Sequence, residues 1–73
     1  MIKVGKLIEY DNNIGIIKDI NNIDHIVLKK DILCNDIKVN DIVNFTSEVF
    51  QTSEEDKNIA RFVNKLSLKK QQK

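Results

Sequence analysis

Apolar and polar residues alternate along most of this chain with a period of two, and short Asn- and Asp-rich clusters interrupt the alternation. That pattern predicts β-strands joined by tight turns. From Ile2 to Tyr10, apolar Ile2, Val4, Ile8 and Tyr10 are interleaved with Lys3, Lys6 and Glu9, with a break near Gly5-Lys6-Leu7. A glycine at such a break predicts a bulge or bend in a long, curved first strand. Asp11-Asn12-Asn13 is a turn signal, because Asn and Asp tolerate positive φ and hydrogen-bond their own backbone. The second strand runs from Ile14 to Asp19, with Ile14, Ile16 and Lys18 on one face and Gly15 and Ile17 on the other. After a turn through Ile20-Asn21-Asn22-Ile23-Asp24, His25 to Lys29 forms the third strand, with Ile26 and Leu28 opposite Val27. These three strands read as a meander.

Lys30-Asp31-Ile32-Leu33-Cys34 is too short for an independent helix and predicts one helical or 3₁₀ turn. Residues 35–40 form a connection in which Ile37 and Val39 are expected to tuck inward. Asp41 to Gln51 is strand four, with Ile42, Val43, Phe45, Val49 and Phe50 assigned to the core. Thr52 to Asn58 holds no apolar residue and is expected to be a mobile polar loop. Ile59 to Leu68 is assigned as strand five, which covers an otherwise open edge, although Ile59, Phe62, Val63 and Leu66 also fit the spacing of a helix face. Lys69 to Lys73 is expected to be a disordered basic tail beyond a single domain at residues 1–68. The fold class is therefore all-β: a small five-stranded Greek-key barrel of the OB type, with one short helical or 3₁₀ turn after strand three. An SH3-like barrel fits the periodicity nearly as well.

Composition narrows the chemistry. In 73 residues, 12 Lys and Arg against 11 Asp and Glu leave a net charge of +1, so any attraction for polyanions is local. One cysteine, Cys34, excludes an internal disulfide, and Cys34 with the single histidine His25 falls short of a zinc ligand set. No metal or other cofactor is expected. The apolar runs are far shorter than the roughly 20 residues that span a bilayer, which predicts a soluble, cytoplasmic protein without membrane contact. No nucleophile stands at motif spacing from a base, and Gly5 and Gly15 are isolated, so an enzyme is not expected.

The order of motifs separates the two barrels. Gly5-Lys6-Leu7-Ile8-Glu9-Tyr10 resembles the opening G-K-V-K-W-F strand of the cold-shock domain family, and Ile14-Gly15-Ile16-Ile17 resembles its G-F-G-F-I strand. Val27-Leu28-Lys29-Lys30-Asp31-Ile32 is similar to F-F-H-K-S-D-I, and Val39-Asn40-Asp41-Ile42-Val43-Asn44-Phe45 to V-G-D-x-V-x-F. Asn58-Ile59-Ala60-Arg61-Phe62 is similar to the closing strand around A-x-N-V. The resemblance covers residues 3 to 66 and implies an OB-fold barrel that binds single-stranded RNA or DNA across strands one to three. Bases stack on aromatic rings there, at about 1 to 3 kcal/mol each.

The side chains depart from that pattern. The family's tryptophan falls at Glu9, its strand-two phenylalanines at Ile14 and Ile16, and its strand-three Phe and His at Ile26 and Leu28. The loop between strands one and two is about two residues shorter than the family's and lacks its lysine. Tyr10 keeps a ring beside the first of these positions. Two functions follow. In the first, Lys6, Tyr10, Lys18, Lys29 and Lys30 bind single-stranded RNA or DNA weakly, in a free-standing domain or within a larger RNA-processing protein. In the second, Ile14, Ile16, Ile26 and Leu28 form an exposed patch for a protein partner or a homodimer. A one-residue change of register would instead send those four inward as ordinary core.

Overall fold

The computed structural model describes residues 2–51 and 54–66. Strands β1 (Ile2–Tyr10), β2 (Ile14–Asp19) and β3 (Asp24–Leu28) form an antiparallel meander. A 3₁₀ turn, Lys29–Asp31, follows β3 and leads through residues 32–41 to β4 (Ile42–Gln51) and β5 (Asp56–Lys65). The strands close in the order β1-β2-β3-β5-β4. Closure joins β4 back to β1 antiparallel and β5 to β3 parallel. The strand assignment for the last segment therefore holds, and the five-stranded OB-type barrel with its 3₁₀ turn is the fold of this chain.

Three Asp–Asn pairs make the turns. Asp11 Oδ1 accepts from the backbone N–H groups of Asn13 and Ile14 at 2.9 and 3.0 Å, while Asn12 takes φ 75°. Asp19 Oδ1 accepts from those of Asn21 and Ile23, with Asn22 at φ 65°. Asp41 Oδ2 accepts from the Lys38 N–H at 2.8 Å beside Asn40 at φ 84°. Asn tolerates this left-handed region better than any residue except glycine.

The barrel is filled by Leu7, Ile17, Val27, Val43, Phe45, Ala60 and Val63, with Tyr10, Ile32 and Ile37 packed against them. Each strand contributes alternate residues to this interior. Two bulges change the parity. Between Leu7 and Glu9 an extra residue, Ile8, stands in β1, so Glu9 rather than Ile8 pairs outward with Ile16. Phe62 and Val63 of β5 together oppose Phe45 of β4. The second bulge puts Phe62 at φ 56° and turns its ring out to solvent, 63% exposed, while Val63 is buried.

Several expectations need correcting. Val49 and Phe50 do not join the core; they are 57% and 54% exposed, because β4 and β5 run past the barrel as a paired two-stranded arm. Asp56, Lys57 and Asn58 belong to β5 and pair with Gln51, Phe50 and Val49, which shortens the expected mobile loop. Val39 is exposed, and Ile37 alone of that pair packs inward. The 3₁₀ turn starts one residue earlier than expected, at Lys29. Strand five ends at Lys65, so Leu66 lies beyond it; Thr52, Ser53, the Ser67 and Leu68 also assigned to that strand, and the tail at 69–73 lie outside the described residues.

Candidate nucleic-acid interface

Strand register settles which way the four aliphatic residues point. Ile14 pairs with Leu28 and Ile16 with Ile26 across β2 and β3, while their neighbours Gly15, Ile17, His25 and Val27 are buried. Ile14 is 47% exposed, and Ile16, Ile26 and Leu28 are half-buried on the outer face. The register slip that would have placed them in the core is excluded. Pairing continues sideways: Glu9 to Ile16, Ile16 to Ile26, Ile26 to Ile59, and Ile59 to Glu48. One ladder of three isoleucines thus crosses the outer face of the barrel between two glutamates. Sequence periodicity could not supply Ile59, because its place in the row depends on the parallel β3–β5 pairing.

Against this ladder lies a groove of about 550 Å³ lined by Glu9, Tyr10, Asp11, Ile14, Gly15, Ile16 and Ile26. Tyr10 forms its wall while packing on the core from behind, so the ring serves both as a barrel cap and as groove lining. Gly15 makes that position possible. A Cβ there would stand 2.4 Å from the Glu9 carbonyl oxygen and 3.0 Å from Tyr10 Cδ1.

Lysines bracket the band at both ends. Lys6 and Lys18 are directly paired across β1 and β2, next to the Glu9–Ile16 pair. Lys18 donates to Asp24 Oδ1 at 2.9 Å, whereas Lys6 is exposed and has no ion-pair partner among the described residues. At the other end Lys29 and Lys30 follow Leu28, and the Lys29 N–H bonds the Asn13 carbonyl. Lys30 Nζ lies 3.6 Å from Asp31 Oδ2, and Lys29, like Lys6, has no such partner among the described residues. The structure thus places Lys6 and Lys18 together at one end of the band and Lys29 and Lys30 beyond β3 at the other, where Lys29 shares a second pocket with Tyr10 and Ile32. It leaves Lys6 and Lys29 electrostatically open and Lys18 and Lys30 partly neutralised.

His25 lies beneath this face, not on it. The imidazole is 2% exposed, with Nε2 2.7 Å from Asp19 Oδ2, Nδ1 3.1 Å from Ser47 Oγ, and its ring edge-on to Phe45 at 4.9 Å. The side chain is a fully buried tie between the β2–β3 turn and β4. Hydrogen bonding from His25, opposed by burial, holds the Asp19 carboxyl down at about 2. A second tie anchors the 3₁₀ turn, where Arg61 Nε donates to Asp31 Oδ1 at 2.9 Å and its Nη1 to Glu48 Oε1 at 3.1 Å. Among the described residues, no group of three His, Cys, Asp or Glu side chains could hold a metal ion, and no helix is long and apolar enough to cross a membrane.

Closed strand order, a bulged β1 and a 3₁₀ turn directly after β3 define an OB-type barrel of the cold-shock-domain kind. Among solved structures it is similar to the Drosophila Unr CSD456 chain, with a TM-score of 0.74 and 20% identity over 99% of this chain. This chain spans 29% of the length of that one. No protein-family model and no curated protein sequence matches it. At that identity the likeness establishes the cold-shock-domain fold.

Proposed function

We propose that this domain binds single-stranded nucleic acid weakly across the outer face of β1 to β3, alone or as one unit of a larger RNA-processing protein. The observation that carries this reading is the bracketing of an open groove by lysines. Lys6 stands directly opposite Lys18 at one end, and Lys29 and Lys30 stand at the other. Like charges placed opposite each other on a sheet are unfavourable by some tenths of a kcal/mol. Asp24 already offsets part of that cost at Lys18, and an anion bridging the two lysines relieves the remainder. From Lys18 to Ile14 the strand rises roughly 13 Å, enough for successive phosphates of one strand to meet both ends while bases lie over the aliphatic ladder. Apolar contact there replaces ring stacking and is weaker, and Glu9 repels phosphate at the centre.

A salt titration with fluorescent single-stranded RNA tests the proposal. Binding should weaken linearly with the logarithm of salt concentration. Absence of binding at low salt and saturating protein would overturn it.

A second reading has its own support. With Ile14, Ile16, Ile26, Leu28 and Ile59 all on one outer face, the surface offers contiguous aliphatic area of the kind that protein partners cover. Pull-down of protein with no measurable RNA affinity, abolished by Ile16→Asp, would favour that reading over the first.

A further inference from the structure

We propose that the outer edge of β4, residues 47–51, is a self-pairing edge through which two copies of this chain associate antiparallel, with Val49 on the two-fold axis. Up to Thr46, β4 is flanked by β1; beyond it, β4 pairs only with β5, and no described strand lies on its other side. A lone two-stranded ribbon is marginal in water, and an unpaired strand edge is a template for another strand.

The two edges of the arm differ. That of β5 begins Asp56-Lys57, with Glu54 and Glu55 just before it, and charges of this kind block edge pairing. That of β4 reads Ser47-Glu48-Val49-Phe50-Gln51, with one charge, and that charge is engaged by Arg61 at 3.1 Å. The occupant this edge fits is itself. In the antiparallel register centred on Val49, each Glu48 faces Phe50 of the other copy and Ser47 faces Gln51, so no like charges meet. The two Phe50 rings then fall on the same face, within reach along the diagonal. A nucleic acid fits poorly, because Glu48, Glu54, Glu55 and Asp56 outnumber Lys57 on the arm.

Five paired residues per copy cover less than a standard interface, so the dimer is weak and its symmetry isologous. It does not depend on the nucleic-acid reading. Sedimentation equilibrium should show the average mass rising from monomer toward dimer as protein reaches millimolar concentration. Val49→Lys, which sets two ammonium groups together on the axis, should return the mass to monomer, while Ile16→Lys on the barrel face should leave the dimer intact. Dilution should shift the backbone amide resonances of residues 47–51 in the unaltered protein. A monomeric mass throughout, an unchanged dimer in Val49→Lys, or loss of the dimer in Ile16→Lys would each overturn the proposal, as would dilution shifts confined to β2 and β3.

Discussion

His25 Nε2 and Asp19 Oδ2 meet at 2.7 Å with both side chains buried, and this bond links the β2–β3 turn to the barrel interior. Asp19 serves two structures at once, since its other oxygen accepts the N–H groups of Asn21 and Ile23. Its carboxyl is lowered from 3.8 to about 2, chiefly by the His25 hydrogen bond. A depressed carboxyl pKa means that the unfolded chain binds the proton more readily, so stability falls as the solution is acidified. The contribution, on the order of 2 kcal/mol, should be complete above about pH 4 and lost as pH falls through about 2. Urea unfolding across that range should show the decline, and Asp19→Asn should flatten it while lowering stability at neutral pH.

Gly15 is held by close approach and not by an unusual backbone angle, since its φ is not positive. An added Cβ meets the Glu9 carbonyl at 2.4 Å, and backbone cannot step aside as a flexible side chain can. Gly15→Ala should destabilise the domain by about 1 to 3 kcal/mol. It should also shift the Tyr10 ring resonances, because that ring lies 3.0 Å from the same point.

Phe62 occupies the left-handed region at φ 56° with its ring in solvent, so burial does not offset its strain. For a non-glycine residue that conformation costs roughly 1 to 2 kcal/mol, and Asn bears it more easily. Phe62→Asn should therefore raise the unfolding midpoint slightly, where most substitutions of a phenylalanine would lower it.

That same residue marks the limit of what the chain shows before it folds. Strict alternation from Ile14 to Leu28 told inward from outward residues correctly, because β2 and β3 pair without a bulge. The family resemblance then separated an OB-type barrel from an SH3-like one, which periodicity does not distinguish. Alternation failed where an extra residue entered a strand, at Ile8 in β1 and at Phe62 in β5. It also failed at Val49 and Phe50, whose pattern is that of a core strand but whose section of β4 has left the barrel. Ile59 joined the site only through a parallel pairing between segments more than thirty residues apart.

Lys6 and Lys29 are the open cations of the candidate interface. If they meet phosphate, Lys6→Ala and Lys29→Ala should each reduce the slope of log affinity against log salt by about 0.7, the single-strand value per contact. Lys6→Ala should do so without loss of stability, and with a gain of some tenths of a kcal/mol, because it removes a like charge directly opposite Lys18. A purely structural lysine would show the reverse, lower stability with an unchanged slope.

Ile16 is the centre of the outer ladder, flanked by Glu9 and Ile26 and lining the groove beside Tyr10. It is half-exposed, so a larger side chain at this point extends over the surface instead of crowding the core. Ile16→Phe would restore a π-face where the cold-shock pattern carries one, and a base stacked there gains about 1 to 3 kcal/mol. Affinity for single-stranded RNA should then rise by about fivefold or more, measured at fixed low salt, with the salt slope unchanged because no charge has moved. Were the face shaped for an aliphatic protein surface, the same change would leave RNA affinity where it was and weaken the protein contact instead. The single substitution thus moves the two readings of the groove in opposite directions.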